Sequence, residues 1–291
     1  MRSAFGSWLV ERRLVRVALI AVLLPLFGVI SAAIVVCVAV VKGWRESLAD
    51  CLLALLLVVG LTVMAGEGLP QILFSSVSTW GIAVLLGGLT GIFGVLTLAV
   101  QVFVLLCCIA IIGFAAFVDD PLSFWEPILA LIIEQMQLLH VELTDPNVIM
   151  ALAPIMSGLF VAGMVASSIV ALLLGCWWAG GAKGVSFREL FIGLRFGYVI
   201  GGIAAVAGVG SLLGFQPLAG NLLLVAGIGF LFQGLAVVHW HVVRRGLPGV
   251  VLIPVYLPLF MGPSILILAL FLFTAIGFID NWYGLRRAKL I

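Results

Sequence analysis

The chain has 291 residues, 65% of them hydrophobic and 9% charged, with 14 Lys and Arg against 12 Asp and Glu. Soluble domains carry about 25% charged residues, so this composition excludes a water-soluble globule and specifies a polytopic α-helical membrane protein. It also argues against a membrane barrel, whose segments alternate in polarity over roughly ten residues, and against nucleic acid as a partner, since no basic face with interleaved aromatics occurs outside the membrane anchors.

In chain order, residues 2–13 predict a short interfacial helix. Phe5, Trp8 and Leu9 enter the headgroup layer, and Arg12 and Arg13 face the cytoplasm. The apolar stretch from Val17 to Val41 exceeds a signal-peptide core of roughly 7–15 residues and has no A-x-A site, so it reads as retained. Apolar runs follow at 15–41, 47–66, 71–88, 91–117, 157–179, 197–214, 218–240 and 249–279. At ~20 residues per crossing, the expected architecture is an all-α bundle of about 8–10 membrane segments, one integral membrane domain over residues 1–291.

Charge decides how the first run is threaded. Cytoplasmic loops keep Lys and Arg, and translocated loops lack them. If 15–41 were one span with the N-terminus inside, Lys42 and Arg45 would lie outside. If it is a hairpin broken near Pro25, Gly28 and Ser31, all 14 basic residues fall on the cytoplasmic side. The hairpin is therefore expected. A second is expected over 249–279, broken by Pro254, Pro258, Gly262 and Pro263, with each arm shorter than a normal span. Both termini then lie in the cytoplasm of a bacterial inner membrane.

The segment 118–156 is the counterpart: Asp119, Asp120, Glu126, Glu134, Glu142 and Asp145, and no Lys or Arg, place it outside. Asp120 before Pro121 reads as a helix start, opening an interfacial helix over 122–143. Phe124, Ile128, Leu131, Ile132, Leu138 and Leu139 form its apolar side, and Glu134, Gln137 and Glu142 its polar side. Thr144-Asp145-Pro146 stops it and caps a second short helix leading into the span at 157. Such an element either plugs the outer surface or gates a path. Glu67, in Gly66-Glu67-Gly68, reads as an outer turn.

Few polar side chains enter the spans. Gln101 stands mid-run, and Asn221 and Gln233 share one run twelve residues apart, projecting about 120° from one another. An intramembrane amide joins helices or contacts a ligand, so these three are the candidate ligand-binding residues. His239-Trp240-His241 lacks the i, i+4 spacing of a helical zinc site and, with Arg244 and Arg245, reads as a membrane anchor. Gly87, Gly91 and Gly94, then Gly201, Gly202, Ala205 and Gly208, and Gly158 with Ala162, provide close helix-packing faces. Such faces suit a membrane-protein partner besides the lipid bilayer. Cys37, Cys51, Cys107, Cys108 and Cys176 lie in or at the edge of apolar runs and read as packing residues. No catalytic motif occurs, and no catalytic residue, metal site or cofactor is expected. Asp50 and Asp280 fall near span ends.

The C-terminal third carries a resemblance. Phe232-Gln233-Gly234-Leu235-Ala236-Val237-Val238-His239, the Arg244-Arg245-Gly246 turn, the proline-broken run from Pro254 to Pro263, and Ile279-Asp280-Asn281-Trp282-Tyr283-Gly284-Leu285-Arg286-Arg287 resemble the YybS-like family of uncharacterised bacterial inner-membrane proteins. Phe187-Arg188-Glu189-Leu190 through Leu194-Arg195-Phe196-Gly197 resembles that family's cytoplasmic loop, and Lys42-Gly43-Trp44-Arg45 fits its early turn. The family is distantly similar to the substrate-binding components of energy-coupling-factor vitamin transporters. This resemblance implies a compact bundle with an early hairpin, an outward cavity for a small molecule, and small-residue faces that dock a partner. The alanine-x-x-x-alanine docking pattern is not reproduced, since Ala18 and Ala21 stand three apart and Ala33 and Ala39 six apart. The function expected is small-molecule binding or transport; the alternative is a non-transporting membrane scaffold.

Overall fold

The computed structural model describes residues 4–66, 68–118, 120–139, 149–183 and 186–286. Glu67, the stretch containing Glu142 and the Thr144-Asp145-Pro146 stop, and Arg287 lie outside the described residues. Helices dominate, with no strand among the described residues: in hydrocarbon every peptide group must be satisfied within its own segment. In order they are α1 (Ala4–Glu11), α2 (Arg13–Lys42), α3 (Trp44–Ala65), α4 (Leu69–Phe93), α5 (Leu96–Phe117), α6 (Pro121–Leu138), α7 (Met156–Lys183), α8 (Phe187–Ile192), α9 (Gly197–Leu212), α10 (Leu218–Arg244), α11 (Ile253–Tyr256) and α12 (Pro263–Tyr283). Seven of the described helices, α2 among them, are long and apolar enough to cross a membrane. The protein is a polytopic transmembrane helical bundle, and large apolar side chains on its long helices are exposed as lipid-facing residues should be.

The chain divides into two compact units, residues 1–103 with 166–195, and 104–165 with 196–291. At the centre of the first is the α2 hairpin. Phe27 leaves helical geometry (φ −141°, ψ 62°) two residues after Pro25. The Ser31 hydroxyl then donates to the Ile20 carbonyl at 2.7 Å. In a straight helix eleven residues rise about 16 Å, so the chain must fold back between them. Val10 packs with Cys37, which a straight α2 would also forbid. The indole of Trp80 in α4 donates to Ser31 Oγ at 2.9 Å and ties the reversal down. All nine residues from Ser31 to Ala39 are buried. A helix apolar all round belongs inside, and glycines let its neighbours close on it. A Cβ at Gly87 or Gly91 of α4, or at Gly175 of α7, would meet the 33–40 stretch at 2.6–3.1 Å. Gly43 (φ +98°), a left-handed conformation suited to glycine, turns the hairpin into α3.

In the second unit α10 holds the central place, with all nine residues from Gly229 to Val237 buried. Gly234 of α10 and Gly277 of α12 face each other. A side chain at Gly234 would collide with the Phe273 carbonyl, and one at Gly277 with that of Phe230. The run 249–279 breaks as expected but divides unequally. Residues 249–260 form short helical turns, Gly262 (φ +104°) breaks the chain, and α12 continues for 21 residues, a full span rather than a short arm. His239 Nε2 lies 2.7 Å from the Tyr256 hydroxyl and holds the short turns to α10.

Three expectations about faces need correction. Leu9 is buried in protein, not in the headgroup layer, because Gly6 brings α1 hard against the Trp178 backbone. Gln101 is not mid-span: Gly94 (φ +70°) ends α4 and α5 begins at Leu96, so Gln101 sits in its second turn. On α6, Asp120 does precede the helix and accepts its first bond, from Phe124 N. Its protein-facing stripe, however, is Trp125, Leu129, Ile133 and Met136, with Leu129 buried and Trp125 Nε1 donating to Ser157 Oγ at 2.7 Å. Phe124, Ile128, Leu131, Ile132, Leu138 and Leu139 are all exposed. The helix thus has three sectors, for protein, lipid and water, and a two-sided reading merged the first two.

Candidate functional site

Each unit contains a buried network built on a carboxylate. In the first, Arg13 and Arg16 are three apart on α2, and Glu46 and Asp50 four apart on α3, so each pair shares a helix face. Arg16 and Asp50 are both fully buried. Arg16 Nε donates to Asp50 Oδ2 at 2.5 Å, Nη2 to Glu46 Oε1 at 2.6 Å, and Nη1 to the Val10 carbonyl at 2.6 Å. Asp50 Oδ1 accepts from Arg13 Nε at 2.8 Å, and Lys42 Nζ approaches Glu46 Oε1 at 3.1 Å. Removing these charges from water costs several kcal/mol per ion, offset only when every oxygen and N–H finds a partner. The network pins α1, both ends of α2 and the start of α3 together.

In the second unit, Asp280 Oδ2 accepts from Gln233 Nε2 at 2.8 Å and from Arg286 Nη2 at 2.7 Å. The other end of the Gln233 amide accepts the Phe196 N–H at 2.9 Å. Beside it, Asn281 Nδ2 donates to the Gly197 carbonyl at 2.8 Å. The start of α9 is therefore held by an amide from α10 and another from α12. Gly229 makes room for the Phe196 ring, which a Cβ would meet at 2.9 Å.

The three sequence-derived candidates separate. Gln233 belongs to the network just described. Asn221 bridges α10 to the start of α7: its Oδ1 accepts the Gly158 N–H at 2.7 Å and its Nδ2 donates to the Pro154 carbonyl at 3.1 Å. Gln101 is half-buried, its Nε2 donating to the Arg195 carbonyl at 2.9 Å. One turn away, Thr97 Oγ1 accepts the Arg195 N–H at 3.3 Å, and the pair steadies the 193–195 turn. The buried carboxylates Asp50 and Asp280 were placed near span ends by sequence and not counted as interior groups. The i, i+4 acids beside the i, i+3 arginines were the available signal for Asp50. For Asp280 only its distance from Gln233 in the folded chain reveals the contact. Among the described residues no three His, Cys, Asp or Glu side chains gather as a metal site would require. The five cysteines are buried and unbonded to one another.

No family model, curated protein or solved structure matches the chain.

Proposed function

We propose that this is a membrane component that binds or carries a small molecule, a member of the YybS-like family and distantly akin to the substrate-binding components of energy-coupling-factor transporters. The reversal of α2 at Phe27 is the observation that carries this reading. Discontinuous helices at membrane depth persist only where protein covers them or they line a water-filled cavity, and transporters build their sites from them. Gln101 is the amide with capacity left for a ligand: its carbonyl oxygen has no partner among the described residues, whereas Asn221 and Gln233 are bonded at both ends. The protein acts without catalysing a reaction. It lies in a bacterial inner membrane with both termini and the basic turns cytoplasmic and α6 outside.

Mass spectrometry of the detergent-purified protein tests the reading. A metabolite should co-purify and be lost in Gln101→Ala at unchanged protein yield. Protein that emerges free of any metabolite from cells grown in rich and in minimal medium would overturn it. A second reading, a scaffold for other membrane proteins, draws on α9, where a Cβ at Gly202 or Gly208 would meet nothing within 4 Å among the described residues. Cross-linking from Val206 to another membrane protein would favour it. The orientation is tested separately, by a single cysteine at position 123 in a background without native cysteines. It should react in intact cells; reaction only after permeabilisation would reverse the topology.

A further inference from the structure

Where α1, α2 and α3 meet, the first unit presents a basic surface whose charge its own carboxylates do not cancel. Arg12, Arg13, Arg16, Lys42 and Arg45 bring five cations, and Glu11, Glu46 and Asp50 three anions, leaving an excess of two. Pairing places that excess. Arg13, Arg16 and Lys42 are engaged with Asp50 and Glu46. Arg12 and Arg45 meet no carboxylate among the described residues; each guanidinium instead lies over an indole, Arg12 at 5.6 Å from the Trp8 ring centre and Arg45 at 5.3 Å from that of Trp44. Both tryptophans are partly exposed. A guanidinium held against a ring keeps its in-plane N–H groups free for an anion. Indole rings sit at the headgroup level of a bilayer. Each pair stands next in sequence to a member of the buried network, Arg12 beside Arg13, which bonds Asp50, and Arg45 beside Glu46, which bonds Arg16.

We infer that this end of the first unit holds anionic phospholipids by their phosphodiesters, with Arg12 and Arg45 each a donor and Trp8 and Trp44 beside the acyl–headgroup boundary. Arg13, half-exposed at the rim, adds field without leaving Asp50. The site is independent of the proposed transport role.

The test uses the full chain in nanodiscs of equal parts phosphatidylcholine and phosphatidylglycerol, counting the lipids that remain on the protein when it is released into a mass spectrometer. One basic side chain at an anionic surface is worth about fivefold in affinity, so two give the parent a preference for phosphatidylglycerol of about twenty-five-fold. Arg12→Gln/Arg45→Gln should abolish that preference. Arg244→Gln/Arg245→Gln removes the same charge from another basic turn and should change the preference distinctly less. Trp8→Leu/Trp44→Leu keeps every charge but removes the platforms, and should weaken the preference too, which keeps the question decidable if either variant folds poorly. Three results would overturn the inference: no preference in the parent, a preference that survives Arg12→Gln/Arg45→Gln, or equal losses in both arginine pairs. Displacement of the lipid by millimolar inorganic phosphate would likewise overturn it, assigning the surface to a free anion.

Discussion

The two buried networks solve one problem in different ways. Around Asp50 the link between helices is ionic: its arginine partners belong to α2, 34 and 37 residues away in sequence, so charge neutralisation and helix attachment are the same bonds. Around Asp280 the two jobs are divided. Arg286, six residues on, neutralises the carboxylate locally, and the uncharged Gln233 carries the attachment to α10. The first design fails when Arg16, its buried cation, is lost. The second should lose the attachment and keep the charge paired.

Arg16→Leu offers the largest break in that contrast. It strands a fully buried carboxylate, a loss of about 3–5 kcal/mol, and should show as a collapse of resistance to unfolding in mixed detergent–SDS micelles. Adding Asp50→Leu to it should restore most of the stability, because a well-packed apolar pair replaces a buried ion pair at little cost; a double variant as weak as Arg16→Leu would refute the stranded-charge account. On the other side, Gln233→Leu should cost about 1.5–3 kcal/mol by the same measurement, since Asp280 keeps Arg286. A loss equal to that of Arg16→Leu would erase the distinction drawn here. Gly234→Ala, which leaves the network alone but pushes α12 off α10, should cost about 1–3 kcal/mol. Smallest is Arg13→Gln: its side chain is 52% exposed, and removing an exposed partner costs at most about 1 kcal/mol.

These differences explain what could be read in advance. The α2 hairpin was legible because proline, glycine and the parity of basic residues all point to it, and charge asymmetry along a membrane chain is a one-dimensional signal. The unequal split of 249–279 was not. Pro254, Pro258 and Pro263 each offer a break, and only the left-handed Gly262 shows which one divides the run. Periodicity found α6 but counted only two environments where a membrane surface offers three. Among the three amides, sequence identified polar atoms in spans, yet whether each bonds backbone or stands open depends on which carbonyls other segments bring near. Asp50 and Asp280 do lie near helix ends, as the sequence indicates, but their burial was not legible for a related reason. Distance from a span end estimates depth along the membrane normal, whereas burial depends on lateral neighbours, which no linear count contains.

The bend at Phe27 has a consequence for how the protein is made. In a membrane chain each crossing inverts the side on which the next loop emerges, so the first segment decides whether every later one is odd or even. A translocon that received α2 as one straight 30-residue span would invert every following helix relative to the hairpin, putting Lys42 and Arg45 on the side opposite Arg13 and Arg16. Two residues, Pro25 and Phe27, therefore hold the parity of everything synthesised after them, and a lineage that straightened them would have to relocate its basic residues throughout the rest of the chain.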